Sequence, residues 1–214
     1  MSTRCACSIV AVAAIALFGS RCSKDPTPST PPAESVQSKA SATGATVVGK
    51  GPPASGGFSA IIVLEPQTPR EFPAPTVPKV MDQLGLTFVP GLILVRQGQP
   101  VVFRNSEDVL HNVRVQETGK AQPVFNVATI PGNSYTHTFE QPGFYSVGCD
   151  VHETMHADIL VTSTPYAVVA DEDGRFTLSD VSPGSYKLTV YLGSQRIERL
   201  VEVTGSRTEL VVNQ

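Results

Sequence analysis

The stretch SYTHTFEQPGFYSVGCDVHETMHADILVT, residues 134–162, decides the fold class. SYTHTF, FYSVGC and DILVT are short runs rich in β-branched and aromatic residues, and Pro142-Gly143 separates the first two as a turn does. In SYTHTF the alternation sets His137 on the face of Tyr135 and Phe139, the period of a strand. The same texture continues outward. SAIIVL, LILV, QPVVF and NVRVQ come before it, and YAVVA, RFTL, YKLTVY and ELVV after it, with PG at 131–132 and 183–184 and DG at 173–174 as turns. No window holds a helical period, so an all-β chain built of β-sandwiches is predicted, with helix minor.

A chain of 214 residues with 41 % hydrophobic content is long enough for one or two domains with real cores. The net charge of −3 and the 16 % charged fraction give no basic footprint to neutralise phosphates, so no nucleic-acid partner is expected. MSTRCACSIVAVAAIALFGSRC, residues 1–22, has the layout of a secretory signal peptide, which predicts export to the periplasm or cell envelope. Its apolar run falls short of the ~18 residues of a spanning helix. Cys22 resembles a lipoprotein attachment cysteine but follows Arg21 where such sites carry a small residue, so a lipid anchor there is the alternative to a free protein. Residues 23–44, rich in Pro, Ser, Thr and Ala, read as a flexible spacer. Cys5 and Cys7 fall within the signal, which rules out a disulfide framework and leaves Cys149 as an exported thiol that is either reactive or metal-held.

A boundary falls near Ser163-Thr164-Pro165, and the roughly 50 residues beyond it are marginal for an independent domain. Within them DEDGRFTLSDVSPGSYKLTVYLGS reads as two hairpin-like units in sequence. The Pro-rich segment 65–79 reads as an extended connection.

CDVHETMH, residues 149–156, packs a cysteine, two histidines and a methionine into one short stretch. A thiolate, an imidazole and a weak axial thioether are the ligands of a mononuclear copper centre, which needs one further histidine. His111, at the end of the loop in FRNSEDVLHNVRV, is the candidate. The predicted metal ligands are therefore His111, Cys149, His152 and Met155, with the thiolate and two imidazoles trigonal and the thioether axial. His156 is expected to face solvent or stand behind the ligands, His137 to be structural, and Met81 to lie in a core or loop. Zn²⁺ accepts the same thiolate and imidazoles, but the affinity order favours copper.

VRQGQPVVFRNSEDVLHNV and FEQPGFYSVGCDVHETM resemble the cupredoxin family, over a span from Leu92 to about Val161, and the Cys-x-x-His-x-x-Met spacing is similar to that of its amicyanin branch rather than the plastocyanin branch. The resemblance implies a Greek-key β-sandwich, one Cu(I)/Cu(II) ion, and a role for Asn112, next to His111, in tying the two ligand loops together. The tail, through YAVVADEDGRFTLSDVSPGSYKLTV, resembles the carboxypeptidase regulatory-like module, a small transthyretin-like β-sandwich joined to cupredoxins in methylamine-utilisation-like exported proteins. ATVVGKG and SAIIVLEP look like that module's opening strands. The implied organisation is a cupredoxin at 67–164 inserted into a discontinuous module formed by 45–66 and 165–214.

A protein of this kind is expected to carry single electrons between redox partner proteins and not to act as an enzyme. A copper carrier or sensor and an envelope-binding β-sandwich protein are the alternatives. Glu107, Asp108, Asp150 and Glu153 lie around the ligand loops in sequence, and two readings stand equally: an acidic copper end that would steer a basic partner, or acids that are merely solvated.

Overall fold

The computed structural model describes residues 44–212. The signal segment 1–22, Cys22 and the spacer apart from Gly44 lie outside the described residues. Among these, every regular element is a strand, and no helix is long and apolar enough to cross a membrane. The all-β prediction holds.

The strands form four sheets. One has the order β4 (Phe88–Val89), β3 (Lys79–Gln83), β6 (Pro100–Asn105), β9 (Ser134–Thr138). The next has the order β5 (Leu92–Arg96), β11 (His156–Thr162), β10 (Gly143–Gly148), β7 (His111–Glu117), β8 (Pro123–Thr129). The third runs β12 (Ala167–Val169), β2 (Ile61–Pro66), β14 (Gly184–Leu192), β15 (Gln195–Val203), and the fourth runs β13 (Arg175–Val181), β1 (Ala45–Lys50), β16 (Arg207–Val211).

Side-chain alternation stacks these sheets as four layers. From β11, Ala157, Ile159 and Val161 enter one core with Met81, Phe103, Val113 and Val147. Leu160 points the other way and meets Ile61 and Val63 of β2. Ile62 and Leu64, alternating with those two, enter a further core with Val47, Phe176, Tyr186 and Leu188. Burial on both faces explains why β2 reads as the unbroken run IIVL rather than as an alternation. Each such side chain contributes about 1.5–3 kcal/mol by leaving water.

β1 lies antiparallel to β13 and parallel to β16, and β2 lies between β12 and β14. The two strands that precede the copper-family segment thus share sheets with the tail. One expectation fails here: RFTLSDV and GSYKLTVYL do not form a hairpin, because β13 and β14 belong to different sheets. Asp180 at φ 57° turns the chain there, and Pro183, which has no N–H for a ladder, sits in the crossing. The true hairpin is β14 with β15, in register from Gly184↔Val203 to Leu192↔Gln195.

Three strand ends meet at one end of the five-stranded sheet. β7 begins at His111, β10 ends at Gly148, and β11 begins at His156, with Gly148 opposite both Arg114 and His156.

Candidate metal centre

His111 is held by the loop that leaves β6. Asn105, fully buried, donates through Nδ2 to the carbonyls of Val109 and Thr129, each at 2.8 Å, and its Oδ1 accepts the Glu107 N–H at 2.9 Å. Behind it the buried Gln83 accepts from Thr129 Oγ1 at 3.0 Å and donates to the Arg104 carbonyl at 3.2 Å. The loop is therefore fixed from inside before His111 is reached.

The three nearest donors converge. His111 Nδ1 and His152 Nδ1 are 3.0 Å apart, and Cys149 Sγ lies 3.9 Å from each. His111 is completely buried and Cys149 nearly so, whereas His152 is half-buried and forms the solvent edge of the group. Met155 is fully buried in the same cluster as Cys149, and its N–H donates to the His152 carbonyl at 3.0 Å, which closes the 149–155 loop into a turn.

Groups behind these residues orient them. Glu107 Oε2 lies 2.5 Å from His111 Nε2, leaving Nδ1 to face the other donors. The Leu86 N–H donates to Glu107 Oε1 at 2.9 Å from a left-handed backbone (φ 55°), uncommon for a non-glycine residue. That amide, ahead of His111, holds the Glu107 carboxyl below its ordinary range. Asn112 Oδ1 accepts the Cys149 thiol at 3.3 Å and the N–H groups of Asp150 at 2.6 Å and Val151 at 3.3 Å. Its Nδ2 donates to Asn126 and Asp150, so Asn112 does link the two loops.

The other expectations sort as follows. His156 is exposed at the start of β11 and lies outside the donor group. His137 packs among Phe125, Tyr135 and Phe139, and burial pushes its pKa down. Met81 is a core residue. Of the four acids near the ligand loops, Glu107 turns in to His111, and Asp150 is bound by Asn126 and by Arg114 Nε at 2.7 Å, which hold its pKa low. Asp108 and Glu153 are exposed. The loops at this end also expose Leu84, Leu86, Val109, Leu110, Ile130 and Val151, so the end is more apolar than the acids suggested. Asn105, Gln83 and the Glu107 contact went unread in the sequence, although Glu107 and His111 stand four apart.

One thiol and two imidazoles within 4.8 Å of one another, with the Met155 thioether buried in the same core as the thiol, are the soft, mixed donors that suit copper in either oxidation state. The fold and these donors together define a mononuclear copper protein. Comparison with known proteins agrees. Residues 76–162 match the family model of copper binding proteins, plastocyanin/azurin family. The chain is 30 % identical over 81 residues to plastocyanin of Solanum crispum, covering 34 % of this chain and 82 % of that protein. The chain belongs to the plastocyanin/azurin family of copper-binding proteins, and copper is its cofactor.

Among solved structures, a copper(I) form of an amicyanin variant is 21 % identical, covering 40 % of this chain and 82 % of that one at a TM-score of 0.37. The copper-containing nitrite reductase of Thermus scotoductus is 24 % identical at a TM-score of 0.38, covering 47 % of this chain; the chain spans only 26 % of that protein. A second family model, polysaccharide lyase family 4, domain II, matches residues 145–209.

Proposed function

We propose that His111 Nδ1, His152 Nδ1, Cys149 Sγ and Met155 would hold one copper ion, and that the protein passes single electrons between redox partner proteins without turning over a substrate. The observation that carries this reading is the convergence of two Nδ1 atoms and one Sγ, already oriented by Glu107 and Asn112. Copper held there would supply the one-electron couple. The chain's part is to keep the donors still: His111 is backed by a carboxylate, Cys149 is capped by an amide, and the 105–111 loop is pinned by Asn105. Little rearrangement is then needed on oxidation. Burial of three of the four ligands keeps out competing molecules. The half-buried His152, beside the exposed Val151, is the point where electrons enter and leave, and the apolar rim suits close, short-lived docking with Asp108 and Glu153 at its margin.

Residues 67–164 form the copper-binding sandwich. Residues 45–66 and 165–214 form one discontinuous carboxypeptidase regulatory-like, transthyretin-like module, supported by the pairing of β1 and β2 with tail strands. Export by the 1–22 signal, with Cys22 as the candidate anchor, sets the protein in the periplasm or envelope. Voltammetry of the copper-loaded protein before and after incubation with a strong copper(I) chelator tests the role. A reversible one-electron wave that survives the chelator supports electron carriage; loss of copper to the chelator makes it a copper carrier instead.

A further inference from the structure

A cleft of about 590 Å³ opens where the five-stranded sheet and the β12-β2-β14-β15 sheet part company, on the rim between the two sandwiches. That volume is in the range of small-molecule sites. Its walls are the rings of Phe58, Phe144 and Tyr191, its polar edge carries Ser59 and Ser194, and Asp158 stands in it as the single acid. No metal ligand lines it.

Asp158 explains what the cleft would accept. It follows Ala157 on β11 and so points away from the copper-site core, in the same outward row as Leu160, flanked by Leu92 of β5 and Ser146 of β10. It is half-buried, and burial pushes its carboxyl up; among the described residues its side chain makes no hydrogen bond or ion pair, and the pull that opposes burial comes from His156 on the same strand. A partly desolvated carboxylate that makes no hydrogen bond or ion pair costs free energy that the fold has no evident need to spend. The rings beside it are of the kind that attract cations. Phe144 and Tyr191 lie 6.3 Å apart at 41°, and the Tyr191 ring already takes the Arg196 guanidinium at 5.5 Å from its centroid. Gly57, Gly91 and Gly193 also line the cleft and put no side chain in it.

We propose that this cleft binds a small organic ammonium ion, its charge against Asp158 and its apolar body against Phe58, Phe144 and Tyr191. One acid rather than several excludes a hard divalent cation, which needs many oxygen ligands. Two hydroxyls and three glycines offer a saccharide too few polar partners.

The test is calorimetric titration of the copper-loaded protein with benzylammonium chloride, with benzyl alcohol as the uncharged analogue, cellobiose as a saccharide, and the Asp158→Asn variant alongside. The expected result is saturable benzylammonium binding, weakened about tenfold or more both by Asp158→Asn and by replacing the ammonium with the hydroxyl. Asp158→Asn removes a desolvated charge, so its melting temperature and copper absorption should hold, which separates lost binding from lost fold. Equal binding of benzyl alcohol, unchanged affinity in Asp158→Asn, binding of cellobiose instead, or no heat at all from benzylammonium would each overturn the proposal.

Discussion

Asn105→Ala should be the most damaging single substitution near the metal end that touches no proposed ligand. The side chain is wholly buried and makes three hydrogen bonds, two at 2.8 Å and one at 2.9 Å. Each well-made bond contributes about 1 kcal/mol net. The Thr129 carbonyl, on a residue only 2 % exposed, would also lose its Asn105 donor with little water to replace it, adding about 1 kcal/mol or more. The sum is about 4 kcal/mol, from which hydration of the more exposed Val109 end removes about 1 kcal/mol, leaving about 3 kcal/mol. For a chain of this size that lowers the melting temperature by roughly 6–12 °C. Urea unfolding of the metal-free protein, followed by near-ultraviolet circular dichroism, measures the loss without help from the metal. Asn105→Asp is the sharper variant, because it keeps the acceptor and the shape but sets an oxygen against two carbonyls. A loss below about 1 kcal/mol in both variants would refute the view that this amide fixes the His111 loop.

Glu107→Gln should weaken the donor strength of His111 and favour Cu(I); a tenfold preferential loss of Cu(II) affinity raises the potential by about 59 mV, read by voltammetry. An unchanged potential would mean that the Glu107 contact does not reach the metal. Gly174→Ala should cost at least about 2 kcal/mol in urea unfolding, since φ is +81° and the new Cβ would stand 2.4 Å from the Gly51 carbonyl oxygen, against backbone that cannot swing aside. His137 sets a pH dependence. Burial depresses its folded pKa, so the unfolded chain takes up its proton first as pH falls past the ordinary 6.5, and stability declines below that point. His137→Phe should flatten the stability profile of the metal-free protein below pH 6.5, and an unaltered slope would remove His137 as its source.

The strands most legible in the sequence were those with one clean apolar face or two buried ones. β2, β6, β10 and β14 announce themselves through Ile, Val, Phe and Tyr at period two or in unbroken runs. β15 was missed because it is a sheet edge whose QRIERLVEV carries its charges into solvent and leaves Leu200 exposed. β3 and β8 were missed for a related reason: KVMDQ buries a Gln and an Asp that only distant partners satisfy, and PVFNVAT is largely exposed.

At the metal end, the meeting of Cys149 and His152 with His111 was legible because ligand chemistry restricts residue type, the loop restricts spacing and few other histidines were left. The supports were not. Asn105, Gln83 and Thr129 act on one another across 24 and 46 residues, and a buried amide carries no local pattern. The pairing of Asp150 was illegible for the same reason, since nothing near it in the chain announces that Arg114 and Asn126 will close on it.

The most direct measurement is the visible absorption and electron paramagnetic resonance spectrum of the protein loaded with one Cu(II), repeated on Cys149→Ser. A strong thiolate-to-copper band with a compact copper hyperfine splitting, both lost in Cys149→Ser, is the result expected of His111, Cys149, His152 and Met155 acting together. A colourless product with the wide splitting of tetragonal copper, the same in both proteins, would contradict it.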